Sequence, residues 1–246
     1  DAKHKTWTLK EGVVKINGYN PQPGDVKFKD LRPDGVINAG DNTVDNPGDR
    51  KIIGNDAARY QFGISLGASY KGWSLEVLLQ GVGKRDYWLG GPAMFPFGGA
   101  GAGDAVFQAL YANQTDYWRA KSYDPSSSDY MVPVNPDSKL FRIYDQGNNV
   151  GSNTRVSDKY LQNAAYMRIK NITLAYTLPK EWVRRAFIQD AKFYLSIENL
   201  ATFSSLPKGY DPEGTAPSST ANALSNGISW GYPYYRTISL GASITF

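Results

Sequence analysis

The sequence predicts an all-β protein built from long amphipathic strands and long polar connections. The first observation is a two-residue alternation of apolar and polar side chains in several stretches, which a strand places on opposite faces. The second is the composition, with 17 Tyr, 6 Trp, 10 Phe and 25 Gly in 246 residues, which is typical of strands and turns. The third is that long and short connections alternate along the chain.

The stretch at residues 235–246 shows the alternation most clearly. One face would carry Ile238, Leu240, Ala242, Ile244 and Phe246, and the other Thr237, Ser239, Gly241, Ser243 and Thr245. The eleven residues 236–246 match the roughly 9–11 that a tilted strand needs to cross a bilayer. The same pattern is typical of an edge strand in a soluble β-sandwich, so this stretch alone leaves both alternatives open.

Further strands are predicted upstream. Residues 60–84 form the clearest hairpin, which turns at Lys71-Gly72. Two more strands are expected over residues 165–178 and 191–202, and the pattern between them predicts a short amphipathic helical turn over residues 180–187. Weaker patterns suggest a strand over residues 7–16 and a short helix within residues 103–113.

The long connections all fall at one end of the predicted sheet and the short ones at the other. In an outer-membrane barrel the segments would be residues 1–59 (an N-terminal strand and an Asp- and Gly-rich extracellular loop), 60–84 (a transmembrane hairpin), 85–163 (a long extracellular loop), 164–202 (two strands with a periplasmic turn), 203–234 (an extracellular loop) and 235–246 (the C-terminal strand). Outer-membrane barrels have this asymmetry, with long extracellular loops and short periplasmic turns. The layout therefore favours the wall of a membrane barrel.

Several function classes are excluded by composition. The absence of Cys excludes disulfides, zinc–thiolate sites and thiol catalysis, and a single histidine, His4, excludes His-based triads and zinc sites. No apolar run approaches the roughly 18 residues of a membrane helix, so any crossing must be by strands. A net charge of +4 without a block of Lys and Arg gives no nucleic-acid footprint. We therefore predict neither an enzyme nor a nucleic-acid partner. Asp1 in place of an initiator Met indicates a processing or fragment boundary.

Blocks spread over residues 20–246 resemble a single protein family. They are Pro23-Gly24-Asp25-Val26-Lys27-Phe28-Lys29-Asp30, Asp34-Gly35-Val36-Ile37, Tyr60-Gln61-Phe62-Gly63, Tyr70-Lys71-Gly72-Trp73, Gln80-Gly81-Val82-Gly83, Tyr166-Met167-Arg168-Ile169-Lys170-Asn171-Ile172-Thr173-Leu174, Tyr176-Thr177-Leu178-Pro179, Glu198-Asn199-Leu200, Tyr210-Asp211-Pro212-Glu213 and Tyr232-Pro233. In order and spacing they resemble the C-terminal portion of the SusC/RagA-like TonB-dependent outer-membrane transporters of Bacteroidetes.

The resemblance implies a bacterial outer-membrane protein that imports an oligosaccharide or a peptide. Its fold would be an antiparallel transmembrane β-barrel of about 22 strands with long extracellular loops and a plug. This chain would supply the last strands and would not be a complete barrel alone. The implied partners are the N-terminal barrel and plug, a SusD-like lipoprotein, outer-membrane lipid, and the TonB–ExbB–ExbD complex, which would act through the N-terminal part.

Two other classes stay open at this point. The first is a secreted β-sandwich carbohydrate-binding module, which would bind glycans without membrane contact. The second is a fragment of an all-β glycoside hydrolase, although the sequence offers no recognisable pair of catalytic carboxylates. Dependence on detergent separates the transporter from both.

The acidic loop from Asp30 to Asp41 has the spacing of a Ca²⁺-binding loop. Asp30, Asp34 and Asp41 occupy positions 1, 5 and 12 of such a loop, and the carbonyl of Val36 occupies position 7. These four residues are therefore candidate Ca²⁺ ligands, and no other cofactor is predicted. Arg32 stands where a ligand oxygen is expected, so the alternative is a loop of Asx turns held by Arg32.

The long loop at residues 85–163 carries aromatic residues interleaved with Asp and Asn. Aromatic faces stack on sugar rings, while Tyr and Trp are also enriched at protein interfaces. The candidates for substrate or partner contact are Trp88, Tyr117, Trp118 and Tyr123. The alternative is that the loop folds on itself.

Overall fold

The computed structural model describes residues 10–16, 19, 21–88, 94–95, 110, 112–144, 152–208, 210–214 and 234–246. The chain forms two compact units. The loop unit consists of Asp1–Ile53, Trp88–Tyr160 and Ser218–Ile228, and the sheet unit of Gly54–Tyr87, Leu161–Pro217 and Ser229–Phe246.

Almost all regular structure in the described residues is β-strand. The strands are β1 (Lys15–Ile16), β2 (Val36–Ile37), β3 (Arg59–Tyr70), β4 (Trp73–Lys84), β5 (Asp86–Trp88), β6 (Leu161–Asn163), β7 (Tyr166–Thr177), β8 (Asp190–Ser204) and β9 (Thr237–Thr245). Helical structure in the described residues consists of α1 (Lys180–Val183), the 3₁₀ turns Ala112–Gln114, Asp158–Tyr160 and Arg184–Ala186, and the helical residues 152–153. The described part of the chain contains no helix with the length and apolar character needed to span a membrane. The predicted all-β class is confirmed.

The sheet unit is built on five antiparallel strands in the order β3-β4-β7-β8-β9. Each pairs with its neighbour over most of its length, and β3 and β9 form the two edges. The sheet is open, because β3 and β9 do not pair with each other.

One surface of the sheet, which we call the apolar face, is hydrophobic across all five strands. Two of its rows are Leu66, Val77, Ile172, Ile197 and Ile238, and Ala68, Leu75, Leu174, Leu195 and Leu240. Ile64, Leu174 and Ile244 on this face remain 44%, 39% and 48% exposed. No layer of the described residues covers this face, so it is not the dry interior of a β-sandwich. Exposed apolar surface that extends this far marks contact with lipid or with another protein.

The opposite surface, the polar face, carries small and hydrogen-bonding side chains. One row consists of Gly67, Glu76, Thr173, Ser196 and Ser239. The Asn171 amide donates to the Ser196 hydroxyl at 2.9 Å, and the Thr173 hydroxyl lies 3.0 Å from it. These bonds join β7 to β8 through their side chains as well as their backbones.

A β-bulge at Lys170 resets the alternation along β7. The register passes from Ile169 to Asn171 without pairing Lys170, both against β4 and against β8. A bulge adds one residue to one strand and therefore shifts the face of every residue beyond it. As a result Ile169 and Ile172 lie on the same apolar face although three positions separate them, and Lys170 joins the polar face.

The structure forms strands where the strongest alternation predicts them. β3 and β4 make the hairpin around Lys71-Gly72, and β7, β8 and β9 match the later predictions to within two residues. The helical turn predicted over residues 180–187 is α1 followed by Arg184–Ala186. Of the strand predicted over residues 7–16, the described residues form only β1, and residues 7–9 lie outside the described residues. Most of the helix predicted within residues 103–113 also lies outside them.

Candidate functional site

A carboxylate at Asp25 connects three segments of the loop unit. It accepts hydrogen bonds from the Tyr144 hydroxyl at 2.7 Å, the Asn153 amide at 2.8 Å and the Gln22 backbone N–H at 2.6 Å, and also from the Tyr19 hydroxyl. We call these five residues the Asp25 cluster. Burial, followed by the hydrogen bond to Asp25, raises the pKa of Tyr19, so its hydroxyl stays protonated and continues to donate.

Asn153 completes the cluster from the inside. Its side chain is almost fully buried, and its amide oxygen accepts the Val26 N–H at 2.7 Å. Tyr144 and Asn153 lie more than 100 residues from Asp25 in the sequence. Because buried polar groups are costly to leave unpaired, this cluster holds Tyr144 and Asn153 of the long loop against residues 22–26.

Gly24, beside the cluster, packs directly beneath Trp118. Its φ of +90° is one that L residues rarely adopt, and a Cβ added there would lie 2.5 Å from Cδ2 of the Trp118 ring. The Gly24 carbonyl accepts the Arg142 N–H at 3.0 Å. Gly24 is therefore required both for the turn and for the position of the indole.

We expect Gly24→Ala to destabilise the loop unit more than Gly35→Ala does. Gly35 has a similar φ of +83° but no heavy atom within 4 Å of its would-be Cβ, so Gly35→Ala suffers backbone strain alone, about 1–2 kcal/mol. Gly24→Ala adds overpacking of about 1–3 kcal/mol. The measurement is hydrogen exchange at the Arg142 amide in the folded protein, which should accelerate more in Gly24→Ala. Equal exchange in the two variants would contradict this packing.

An aromatic core organises another part of the loop unit. Phe95 is fully buried, and its ring centroid lies 4.8 Å from Tyr160, 5.8 Å from Phe141 and 5.9 Å from Trp88. Trp88 itself is buried, as is Trp118 over Gly24. Trp88 and Trp118, which were predicted to contact substrate or partner, are therefore packed within the loop unit. This agrees with the alternative prediction that the loop folds on itself.

The other two predicted contact residues remain accessible. Tyr123 is 50% exposed, and the Arg142 guanidinium lies 5.1 Å from its ring centroid and 4.9 Å from that of Tyr144. Tyr117 is half-buried, with the Arg119 guanidinium 5.9 Å from its ring. The accessible aromatic surface therefore combines Tyr rings with guanidinium groups, a combination that can stack on a ligand and bond its oxygens. Arg142 was not among the residues predicted from sequence.

The acidic loop is held by its own hydrogen bonds. Asp30 accepts the N–H groups of Arg32 at 3.1 Å and Gly35 at 2.9 Å, and Asp34 accepts that of Val36 at 2.9 Å. Within the described ranges, no three His, Cys, Asp or Glu side chains lie together as a potential metal site. The bonds made by Asp30 and Asp34 are those of Asx turns, which is the alternative predicted from the sequence. Ca²⁺ binding by the loop stays a prediction.

Asp49, which the sequence pattern did not single out, ties the acidic loop together. It accepts the N–H groups of Asn38 at 2.8 Å, Leu31 at 2.8 Å and Arg32 at 3.2 Å. These bonds, that from Asn38 foremost, lower the pKa of Asp49. Arg32 does pin the loop, but through Asn46, whose amide oxygen accepts from its guanidinium at 2.6 Å. The amide of Asn46 in turn donates to Asp41 at 2.8 Å.

On the polar face of the sheet unit, the buried Arg168 and the half-buried Lys170 of β7 pair with acids of the loop after β8. Arg168 lies 2.8 Å from Asp211 and 3.1 Å from Glu213, and Lys170 lies 2.8 Å from Glu213. The Arg168 side chain is only 3% exposed. Arg168 also donates to the Thr202 hydroxyl of β8 at 2.7 Å. These ion pairs fasten residues 210–214 to the sheet.

Tyr234 covers the same group of charges. Its ring centroid lies 4.5 Å from the Lys170 ammonium and 5.1 Å from the Arg168 guanidinium, and its N–H donates to Asp211 at 3.2 Å. We call Arg168, Lys170, Asp211, Glu213 and Tyr234 the Arg168 cluster.

The ion pair between Asp211 and Arg168 is lost only in strong acid, when the Asp211 carboxylate is protonated. Burial alone would raise its pKa, but the N–H groups of Glu213 and Tyr234 and the Arg168 guanidinium outweigh burial and lower the pKa below 3.8. A carboxyl whose pKa is lowered on folding stabilises the fold above its unfolded pKa, and this contribution is lost as the pH falls through the folded value. The contact between Asp211 and Arg168 therefore persists at any pH above about 4.

Two curated proteins of Formosa agariphila are similar to this chain over almost its whole length. TonB-dependent receptor P3 is 26% identical over 241 residues, which covers 96% of this chain and 20% of the relative. TonB-dependent receptor P26 is 24% identical over 244 residues, which covers 98% of this chain and 22% of the relative. The chain thus spans about a fifth of the length of the curated relatives it matches.

Solved structures give a weaker likeness, and no protein-family model matches the chain. The RagAB peptide importer in its open-open state is 24% identical with a TM-score of 0.44, covering 76% of this chain and 17% of that chain. In its closed-closed state it is 25% identical with a TM-score of 0.45 and the same coverage. These TM-scores are too low to establish a shared fold. The names of the curated relatives agree with the resemblance found in the sequence, and neither names an enzyme.

Proposed function

We propose that this chain, which belongs to the TonB-dependent receptors of the bacterial outer membrane, forms five adjacent wall strands and part of the extracellular loops of a nutrient importer. The observation that carries the proposal is the uncovered apolar face. Leu66, Ile238 and Leu240 on it are 57%, 64% and 83% exposed, which is costly in water and favourable against hydrocarbon.

The remaining strands of the barrel would complete the sheet edges. β3 and β9 each carry one side of backbone N–H and C=O groups without a partner strand among the described residues. Within a bilayer such groups must be paired, because no water is present to bond them. The receptor's other strands would therefore pair with both edges and close the barrel.

The polar face would line the lumen of the barrel. The Arg168 cluster would then hold residues 210–214 inside the lumen, next to the plug contributed by the N-terminal part. Charged groups are tolerated there because they contact water or each other rather than lipid. In this arrangement the cluster narrows the passage and fixes the start of the loop that leads to β9.

The imported nutrient would be an oligosaccharide or a peptide, captured together with a SusD-like lipoprotein. The accessible pair Tyr123 and Arg142 supports either ligand, since a Tyr face stacks on sugar rings and a guanidinium bonds carboxylates and hydroxyls. The Asp25 cluster would keep these loops ordered for capture. Import would be driven by TonB–ExbB–ExbD acting on the plug, through the N-terminal part of the receptor.

A secreted β-sandwich carbohydrate-binding module is the competing proposal. A sandwich buries one face of each sheet against the other sheet. The exposure of Ile64, Leu174 and Ile244 does not fit that architecture.

The solubility of the 246-residue chain separates the two proposals. Expressed without detergent, the chain should aggregate, because its apolar face and both strand edges would meet water or other copies. Size-exclusion chromatography with and without detergent measures this outcome. A soluble monomer in detergent-free buffer would exclude the barrel wall and favour the binding module.

A further inference from the structure

The end of the sheet with short connections combines exposed basic and aromatic side chains. The β3–β4 turn carries Lys71, and the β7–β8 connection carries Lys180, Arg184 and Arg185, all exposed. In the β7–β8 connection, Trp182 and Phe187 are 64% and 93% exposed.

The β3–β4 turn and the β7–β8 connection lie at the same end of the sheet, because the strand residues next to them pair with each other. Trp73, which follows the first turn, pairs with Tyr176, and their ring centroids are 4.7 Å apart. The Thr177 N–H donates to the Gly72 carbonyl at 2.8 Å. The acidic groups at this end are Glu181 and Asp190. Among the described residues neither forms an ion pair with any of the four basic side chains.

A groove in the apolar face opens beside these turns. Its volume is about 590 Å³ and its lining is mainly apolar. Its aromatic lining comes from Trp73, Tyr176, Phe193 and Tyr194, and the small Ala242 also lines it. Such a groove fits a hydrocarbon chain. Lys71 is two residues from Trp73 of its lining and Lys180 is four from Tyr176, whereas Arg184 and Arg185 lie in the β7–β8 connection that leads from Tyr176 to Phe193.

We propose that this end of the sheet binds an anionic phospholipid of the inner leaflet. An acyl chain would occupy the groove, and the phosphate would contact Lys71, Lys180, Arg184 and Arg185. The inference rests on the proposed function, because short turns are periplasmic only in an outer-membrane barrel. Arg and Lys bind phosphate by charge and hydrogen bonds, and exposed Trp and Phe anchor at the headgroup level.

The test is lipid binding to the full-length receptor in detergent, followed by native mass spectrometry. The probes are palmitoyl-oleoyl phosphatidylglycerol and, as the zwitterionic control, palmitoyl-oleoyl phosphatidylcholine. Wild-type receptor should bind phosphatidylglycerol more tightly. The triple variant Lys180→Gln, Arg184→Gln, Arg185→Gln should bind it at least about ten-fold more weakly, since each basic residue near an anionic lipid contributes about five-fold.

A matched control removes the same charge elsewhere. The variant Lys27→Gln, Lys29→Gln, Lys139→Gln changes three exposed residues of the loop unit and should bind phosphatidylglycerol like wild type. A separate variant, Ala242→Phe, fills the groove while keeping the basic turns and should also weaken binding. It keeps the proposal testable should the triple variant fold poorly.

Different failures have different meanings. The lipid site is contradicted if the receptor inserts into the outer membrane but binds both lipids equally. It is also contradicted if the triple variant binds phosphatidylglycerol as well as wild type does. In both cases the proposed importer function is unaffected. A receptor that stays soluble without detergent overturns the proposed function and the lipid site together.

Discussion

Replacing Arg168 with Met should release the loop after β8 from the polar face of the sheet. Removing one partner of a buried ion pair costs about 3–5 kcal/mol, and here two carboxylates, Asp211 and Glu213, lose the same guanidinium. The attached segment should then open roughly 10² to 4 × 10³ times more often, because about 1.4 kcal/mol corresponds to a factor of ten. The measurement is hydrogen exchange at the amides of Glu213 and Tyr234, which both donate to Asp211.

Two controls make this result specific. Lys121→Met breaks an exposed ion pair with Asp129 at 3.9 Å, whose side chains are 54% and 56% exposed, and it should change stability by less than about 1 kcal/mol. Combining Arg168→Met with Asp211→Asn and Glu213→Gln removes the unpaired charges and should restore part of the protection. Unchanged exchange in Arg168→Met would mean that the cluster does not hold the loop.

The strands of this fold could be predicted because their signal is local. Alternation with a period of two depends only on neighbouring residues, so β3, β4, β7, β8 and β9 were visible in the sequence. The bulge at Lys170 was not predicted, although it leaves a trace. Ile169 and Ile172 share the apolar face only if one residue between them is left out of the alternation.

The side-chain clusters could not be predicted in the same way. Arg168 and Asp211 are 43 residues apart, and Asp25 and Asn153 are 128 apart. A loop's composition does not say where its carboxylates will return to the sheet. One signal was available, because the cations Arg168 and Lys170 in a membrane strand require nearby acids. Arg168 and Asp211 both lie in blocks that resemble the transporter family, but neither the blocks nor their spacing indicates that the two residues pair.

The candidate contact residues show the limit of composition as evidence. Trp88, Tyr117, Trp118 and Tyr123 come from the same aromatic-rich loop, yet the first and third are buried and Tyr123 is half exposed. Burial depends on packing partners that lie far away in sequence, such as Gly24 for Trp118. Their roles in substrate or partner contact stay predictions.

A charge placed on one face of β9 should disturb the receptor far more than the same charge on the other. Leu240 lies on the apolar face and pairs with Leu195, whereas its neighbour Ser239 lies on the polar face and pairs with Ser196. Arg on the lipid side near the middle of the bilayer costs about 2–4 kcal/mol. On the lumen side the guanidinium stays hydrated, so the change should be small.

The most direct measurement is therefore the urea unfolding midpoint of the full-length receptor in lipid vesicles, compared for Leu240→Arg and Ser239→Arg. The two variants carry the same new charge on adjacent residues, and only the face differs. If the apolar face contacts lipid, Leu240→Arg should lower the free energy of unfolding by about 2–4 kcal/mol while Ser239→Arg stays near wild type. Equal losses, or a larger loss for Ser239→Arg, would contradict the barrel wall.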